Sequence, residues 1–174
     1  MRLLIEGRPG SGKTTAAGRL AYLLGERDVA VQGLVTGELR EKGTRVGFTV
    51  SSFGGEEATL AHVDLPGPPR VSKYGVDLDA FERVALPALE SPPAGAVVII
   101  DELGKMELAS ERFSRTVLQL LDAPVTVVAT VQASRHPFTD ELKSRPRIEL
   151  IKLTRANRDE LPTELVERIV PPRN

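Results

Sequence analysis

The stretch GRPGSGKT, residues 7–14, follows directly on the apolar run LLI near the start of the chain. It matches the pattern G-x-x-x-x-G-K-[ST], in which Gly7, Gly12, Lys13 and Thr14 hold the fixed positions. Glycines let successive backbone N–H groups turn inward around a phosphate, and a following helix adds positive charge at its N-terminus. The lysine of such a loop reaches the outer phosphates, and the hydroxyl of Thr14 can bind Mg²⁺. The stretch therefore predicts a phosphate-binding loop between a buried strand and a helix.

The rest of the chain alternates short apolar runs with amphipathic ones. The runs typical of strands are RLLIEG, EATLAHVD, AVVIID, PVTVVATV and RIELIKL, and those typical of helices are KTTAAGRLAYLLGERD, LDAFERVALPALE, SERFSRTVLQLLD and RDELPTELVERIV. Such alternation predicts an α/β fold with a mostly parallel sheet and helices on both faces. Two extended segments near residues 33–53 predict an antiparallel hairpin at the edge of the sheet. LPGPPRVSKYG and RHPFTDELKSRP are predicted to be loops, Asp77 to cap a helix, and Pro87 to kink or shorten it.

Length and composition limit the classes of protein to consider. A chain of 174 residues is predicted to form one domain, 1–174. The net charge of −1 does not favour binding to nucleic acid, and the short apolar runs predict no membrane span. Cysteine is absent from the sequence, which excludes disulfides and thiolate chemistry and fits a cytoplasmic protein. The two histidines, His62 and His136, are predicted to be structural or solvated rather than catalytic.

A P-loop requires a second element, which is an apolar strand ending in an acid that can hold magnesium. AVVIIDE supplies this element, with Asp101 as the predicted metal carboxylate. Glu102 follows it and can polarise a water molecule against the terminal phosphate. The alternative is that these two acids only end a strand and enter a polar loop. With a P-loop in the same chain, the pattern favours hydrolysis of a nucleotide.

Several further charged residues are weaker candidates. Glu107 can be a second catalytic carboxylate or an acid that a helix N-terminus favours by its dipole alone. Lys105 can contact the transferred phosphate or be solvated. One cation is expected to stabilise the charge on that phosphate, and Arg8, Arg70 and Lys73 are also candidates. The sequence leaves these alternatives open.

Six segments together resemble one known family, namely GRPGSGKTT, GLVTGELREKGTRVGF, VSKYGVDLDAFERVALPAL, IIDELGKMEL, HPFTDELKSRP and LTRANRDELP. The chain resembles the small P-loop nucleoside-triphosphatase family first described from thermophiles, which includes the human cancer-related nucleoside-triphosphatase. The resemblance implies a RecA-like P-loop fold. It also implies a monomer that hydrolyses several nucleoside triphosphates slowly, with Mg²⁺ and a loose base preference. It implies that Asp101 binds the metal, that Glu102 activates water, and that Asn157 and Arg158 lie near the base. The phosphate loop that it implies consists of Gly7, Arg8, Pro9, Gly10, Ser11, Gly12, Lys13, Thr14 and Thr15.

Two other functions are compatible with a P-loop. A kinase would pass the phosphate to a nucleoside, a nucleotide or a nucleic-acid end, and would need an arginine-rich lid, for which KSRPR at 143–147 is the candidate. A nucleotide-gated binding module would use the nucleotide to control a partner. A guanine-specific GTPase would carry an N-K-x-D motif, which ANRDE does not supply.

Overall fold

A computed structural model describes residues 1–171 of the chain. These residues form nine strands and five α-helices, which alternate except where β2 to β6 follow one another directly. The strands are β1 (Arg2–Gly7), β2 (Val31–Glu41), β3 (Thr44–Ser52), β4 (Glu57–His62), β5 (Arg70–Val71), β6 (Tyr74–Val76), β7 (Val97–Asp101), β8 (Thr126–Gln132) and β9 (Glu149–Lys152). The helices are α1 (Lys13–Gly25), α2 (Leu78–Leu89), α3 (Glu111–Asp122), α4 (Pro137–Ser144) and α5 (Leu161–Ile169), with a 3₁₀ turn at Glu107–Ala109.

All nine strands form one sheet in the order β5-β6-β4-β3-β2-β7-β8-β1-β9. The five strands from β2 to β9 in this order are parallel, and β3, β4, β6 and β5 extend the sheet by antiparallel pairing. The predicted α/β class is therefore confirmed. The predicted hairpin is also present as β2 and β3, but its place at the edge was wrong. β2 pairs with β7 in the parallel part, and three further strands lie outside β3.

The side chains of the central strands alternate between two cores, one on each face of the sheet. On β7, Val97 and Ile99 pack with α1 and α5, whereas Val98 and Ile100 pack with α2 and α3. Leu142 of α4 belongs to the second core as well. Because both faces are covered, β7 is buried at every position, which explains its unbroken apolar sequence. Helices thus cover both faces, as predicted.

The two segments predicted to be loops contain regular structure. LPGPPRVSKYG contains β5 and the start of β6, and RHPFTDELKSRP contains the helix α4. In α4, Pro137 occupies the first turn, where a missing N–H costs nothing, and the His136 side chain accepts a hydrogen bond from the Phe138 N–H. The last helix begins at Leu161, later than predicted. Asp77 caps α2, as predicted, by accepting a hydrogen bond from the Ala80 N–H.

Pro87 lies in the last turn of α2, which ends two residues later at Leu89. The helix therefore continues past Pro87 and covers all but the last residue of the predicted run LDAFERVALPALE, so the predicted shortening is not seen. Within residues 1–171, none of the helices is long and apolar enough to cross a membrane.

Candidate active site

The GRPGSGKT stretch forms a tight loop between the end of β1 and the start of α1. Gly12 has a φ of +99°, a left-handed conformation that strongly favours glycine. Gly7 is needed for a different reason, because a Cβ there would collide with Ser11 Oγ and lie 3.1 Å from Lys13 Cγ. The backbone therefore folds closely over the stem of Lys13, as a loop that cradles phosphates must.

Lys13 is nearly buried, with an exposed fraction of 7%. Its Nζ donates to the carbonyl oxygens of Gly7, at 3.2 Å, and Arg8, at 3.4 Å. The same ammonium lies 3.4 Å from Glu102 Oε2. The lysine charge is thus held at the mouth of the loop, where phosphate oxygens can replace these oxygens.

Asp101 ends β7 and is completely buried. Its Oδ1 accepts a hydrogen bond of 2.6 Å from the hydroxyl of Thr130, in the neighbouring strand β8. Its Oδ2 is buried and has no hydrogen-bond partner among residues 1–171. Burial raises the pKa of Asp101, while the hydroxyls of Thr130 and Thr14 and the charge of Lys13 act in the opposite direction. A buried, unpartnered carboxylate oxygen beside Thr14 fits a divalent cation, because a cation there would stabilise the ionised form.

Glu102 follows Asp101 and is partly exposed, at 20%. Its Oε1 accepts a hydrogen bond of 2.7 Å from Gln132 Nε2 at the end of β8. Its Oε2 faces Lys13. The two oxygens therefore have different partners, and only Oε2 faces the residue that reaches the outer phosphates.

Glu107 is a third carboxyl in this region, and it is buried in the 3₁₀ turn after β7. A Cβ at Gly104 would lie 2.7 Å from Glu107 Oε2 and 3.1 Å from Glu102 Oε1, so the two side chains flank this glycine. Burial raises the pKa of Glu107 to about 8, and the charges of Glu102 and Asp101 add to the effect. Glu107 is thus a protonated neighbour of the site near neutral pH.

Two cavities flank the loop, at the carboxyl ends of the parallel strands where open α/β sheets bind ligands. One, of about 500 Å³, lies beside α1 and is lined by Gly12, Thr15, Ala16, Arg19, Arg158, Asp159 and Pro162. The other, of about 610 Å³, lies between the loop and the end of β9, and its cations are Arg8, Lys152 and Arg155. Among the described residues, no group of three or more His, Asp or Glu side chains could hold a metal ion alone. A magnesium ion here would therefore need phosphate oxygens to complete its set of ligands.

Comparison with known proteins identifies the family. The model of the NTPase family matches residues 2–166 of the chain. The chain belongs to this NTPase family. It is 41% identical over 167 residues to the nucleoside-triphosphatase THEP1 of Thermotoga petrophila, a match that covers 95% of this chain and 91% of that protein. It is 35% identical over 178 residues to the human cancer-related nucleoside-triphosphatase, with 94% of each chain covered.

Solved structures agree with this assignment. The crystal structure of THEP1 from Aquifex aeolicus superposes with a TM-score of 0.88 at 34% identity, covering 98% of this chain and 99% of the other. The solution structure of the human cancer-related nucleoside triphosphatase gives a TM-score of 0.84, also at 34% identity, and covers 99% of each chain. The resemblance noted from six sequence segments is confirmed.

The fold of this NTPase-family chain does not bring all the candidate cations together. Arg70 and Lys73 lie in or next to β5, at the opposite edge of the sheet. β5 is seven strand positions from β1, a distance of about 30 Å along the sheet. There the Arg70 guanidinium donates to the carbonyls of Leu65 and Lys73 and closes its own turn. Lys105 is exposed beyond β7, and Arg8 is exposed in the loop itself. Of these candidates, Arg8 is the one that the phosphate loop carries.

Asn157 and Arg158 lie in the loop between β9 and α5, and they occupy different environments. The Asn157 side chain accepts from the N–H and hydroxyl of Thr154 and donates to the Lys152 carbonyl, so it organises the loop. Arg158 lies against the phosphate loop, since a Cβ at Gly12 would be 3.5 Å from its Cδ. Arg158 is therefore the residue of the two that borders the cavity beside α1.

Sequence reasoning missed three residues of the candidate site. Thr130 donates a hydrogen bond to Asp101, and Gln132 donates one to Glu102. Lys143 of α4 forms an ion pair of 2.7 Å with Glu6 and donates to the Gln132 carbonyl. A signal was present in β8, because two polar side chains interrupt the otherwise apolar end of a buried strand. The strands that pair with β8 could not be known from the sequence.

His136 and His62 are local structural residues, as expected, since each accepts a hydrogen bond from a nearby backbone N–H.

Proposed function

We propose that the protein hydrolyses nucleoside 5′-triphosphates to the diphosphate and phosphate, with Mg²⁺, at the site formed by the GRPGSGKT loop and the end of β7. The observation that carries this proposal is the position of Glu102. Its carboxylate lies 3.4 Å from the ammonium of Lys13, the residue of a P-loop that reaches the outer phosphates. A carboxylate at this place can accept a proton from water, which hydrolysis requires and a passive binding site does not.

The roles of the chain's residues follow from their contacts. The backbone of residues 7–13 and the N-terminus of α1 bind the phosphates. Lys13 leaves its present oxygens and neutralises charge on the outer phosphates. Glu102 Oε2 accepts a proton from water as the water oxygen bonds to the γ-phosphorus and the bond to the β–γ bridging oxygen breaks, which releases the diphosphate.

The donor set fits magnesium. Thr14 and Asp101 would hold Mg²⁺, which when bound neutralises charge on the phosphate oxygens. The support is the buried Asp101 Oδ2 without a partner in the described part of the chain. Thr130 keeps the other carboxylate oxygen in place.

A broad base preference is supported by the cavity beside α1. Asn157 uses its amide within its own loop, so it is not free to read the edge of a base. Arg158 offers a planar guanidinium that can stack on any base, and stacking is tolerant of base identity. We infer ATP, GTP and other nucleoside triphosphates as substrates, a slow turnover, and a monomer in the cytoplasm for which nucleic acid is not a favoured partner.

The kinase alternative has less support, because two of the three cations of its candidate lid are engaged in ion pairs. In the KSRPR segment, Lys143 pairs with Glu6, and Arg145 contacts Glu141 at 2.8 Å and Asp122 at 3.9 Å. Lys143 ties α4 to β1 and Arg145 contacts the ends of α4 and α3, whereas Arg147 is exposed. Hydrolysis therefore has the better support.

The decisive experiment compares phosphate release by Lys13→Ala and Glu102→Gln proteins, with Lys73→Ala as a matched control at the far edge of the sheet. We expect Lys13→Ala to weaken nucleotide binding. Glu102→Gln should keep nucleotide affinity and lose about 10²–10⁴-fold in kcat, which is the usual size of a general-base contribution. Normal hydrolysis by Glu102→Gln would show that Glu102 is not the base.

Two additions to the assay test the alternatives. A panel of nucleoside, nucleotide and oligonucleotide acceptors is included with ATP, and phosphorylated acceptor appearing faster than free phosphate would establish a kinase. Cell extract or nucleic acid is added separately, and a strong stimulation of the rate would support a nucleotide-gated module.

Removal of divalent metal with EDTA should abolish turnover, and retention of full activity would exclude a magnesium requirement.

A further inference from the structure

Gln132 is the direct hydrogen-bond partner of Glu102, and the proposed mechanism gives it no role. It is the last residue of β8, and β1 pairs with it through Gly7, the first residue of the phosphate loop. Its Nε2 donates to Glu102 Oε1 at 2.7 Å. This amide therefore lies between the phosphate loop and the carboxylate at the end of β7.

Glu102 has two partners in the structure, Gln132 and Lys13, and Lys13 also has other partners. The Lys13 ammonium lies 3.4 Å from Glu102 Oε2 and also donates to the carbonyls of Gly7 and Arg8. A triphosphate in the loop would attract that ammonium with a much larger negative charge. Once Lys13 moves to the phosphates, the Gln132 amide remains as the hydrogen bond that fixes the direction of the Glu102 carboxylate.

We propose that Gln132 is a positioning residue for hydrolysis, which holds Glu102 so that Oε2 faces the attacking water. This inference rests on the proposed function of Glu102 as the base. The geometry requires a donor at this place, because Oε1 is an acceptor. The orientation of the Gln132 amide is fixed as well, because Ser134 Oγ donates a hydrogen bond to Gln132 Oε1 at 3.3 Å. A glutamate of the same size would place a second acceptor against Glu102.

The Gln132 backbone is anchored by groups that the sequence did not connect to the site. Lys143 Nζ donates to the Gln132 carbonyl at 3.0 Å and forms an ion pair of 2.7 Å with Glu6. Both charged side chains are mostly buried, with exposed fractions of 14% and 17%. The end of β8 is therefore tied to β1 and to α4. Helix α4 is thereby linked to Glu102 through the end of β8.

The expected effect is large for a residue that touches no reacting atom. A shift of about 1 Å in a catalytic group can cost about 10²-fold in rate. Removal of the amide donor should therefore lower kcat by about 10- to 100-fold. It should leave nucleotide affinity within about twofold of the original, because the phosphate loop keeps all its own contacts.

The test measures kcat and the Kd of a non-hydrolysable nucleoside triphosphate with Mg²⁺ for Gln132→Met and Gln132→Glu, which are similar in size to glutamine. The matched control is Gln32→Met, because Gln32 Nε2 also donates one hydrogen bond, to the Glu90 carbonyl, near the start of β2. Both Gln132 variants should lose kcat and keep Kd, and Gln32→Met should keep both. In a Glu102→Gln background, Gln132→Met should cause no further loss, because the group that it positions is already gone.

Three outcomes would overturn the proposal. Unchanged kcat in Gln132→Met would show that Glu102 needs no such partner. A loss of nucleotide affinity together with kcat in both variants would assign Gln132 a structural role. A further loss in the Glu102→Gln background would show that Gln132 acts independently of Glu102. Failure of the proposed function is separate, because it is seen in the Glu102→Gln protein alone as normal turnover.

Discussion

Glu107 is a buried carboxyl whose protonation should couple folding to pH. Its pKa of about 8 in the folded protein lies above the usual value of 4.5, so the folded state holds a proton that the unfolded chain releases. The stability from this group is fully present below pH 4.5 and is lost as the pH rises through 8. Glu107→Gln should therefore raise the free energy of unfolding by roughly 1–4 kcal/mol at pH 8 and flatten its dependence on pH.

Urea denaturation of both proteins between pH 5 and 9 measures this effect. Glu111→Gln is the control, because Glu111 is an exposed acid in the first turn of the next helix. Equal pH slopes in the Glu107→Gln and original proteins would mean that Glu107 is ionised in the folded state.

Thr130 is the hydrogen-bond partner of the proposed magnesium carboxylate, so its removal should affect the metal. In Thr130→Val, Asp101 Oδ1 loses its 2.6 Å hydrogen bond in a fully buried position. We expect a loss of about 1–3 kcal/mol in the free energy of unfolding. The Mg²⁺ concentration for half-maximal turnover should rise about tenfold or more, as for other residues that orient a metal ligand.

A magnesium titration of the rate is the measurement, with Thr126→Val at the start of β8 as the matched control. Thr126 lies on the same strand, away from Asp101. An unchanged magnesium requirement in Thr130→Val would argue against Asp101 as a metal ligand.

At the level of residues, the sequence predicts the parts of the site that are local. Lys13 and Thr14 follow from the loop motif, and Asp101 and Glu102 from a strand that ends in acids. Gln132 could not be found in this way, because its contact with Glu102 depends on the pairing of β7 with β8. The register that aligns these strands is a tertiary property that single-sequence periodicity does not contain.

The junction of α2 and α3 depends on Ser110 and offers a test at the level of elements. The Ser110 hydroxyl accepts from the Phe113 N–H at the start of α3 and donates to Glu82 Oε1 of α2 at 2.7 Å. Ser110→Ala removes the cap and leaves a buried N–H without its partner, which should cost about 1–2 kcal/mol of stability.

Thermal or urea unfolding measures this loss, and Thr116→Ala is the control because its hydroxyl bonds only to a carbonyl of its own helix. A cost for Ser110→Ala no larger than for Thr116→Ala would show that the cap does not hold the two helices together.

Elements were predicted well where they are long and poorly where they are short. α1 and α2 carry enough positions to show their periodicity, and β7 was recognised by its unbroken apolar run. β5 and β6 have two and three residues, so no alternation can be seen in them, and pairing with β4 is what makes them strands. α4 has eight residues that begin with a proline and end before another breaker, a composition typical of a loop.

The whole molecule is built on one continuous sheet, which predicts a single domain that unfolds in one step. The parallel part lies between two cores, and the second core also includes Val50, Leu60 and Tyr74 of the antiparallel extension. Because α2 contacts β2, β3 and β4, the extension cannot separate without exposing this core. Cooperative loss of both parts is therefore expected.

The two tyrosines of the chain can report on the two parts separately, because the sequence has no tryptophan. Tyr22 lies on α1 at the parallel part, and Tyr74 lies on β6 near the far edge. In a Tyr22→Phe protein, fluorescence follows Tyr74 alone, while far-UV circular dichroism follows the whole fold. The two urea midpoints should coincide, and the same should hold for Tyr22 in a Tyr74→Phe protein. A Tyr74 transition at lower urea would show that the antiparallel extension unfolds on its own, and that the phosphate loop and Glu102 belong to a smaller independent unit.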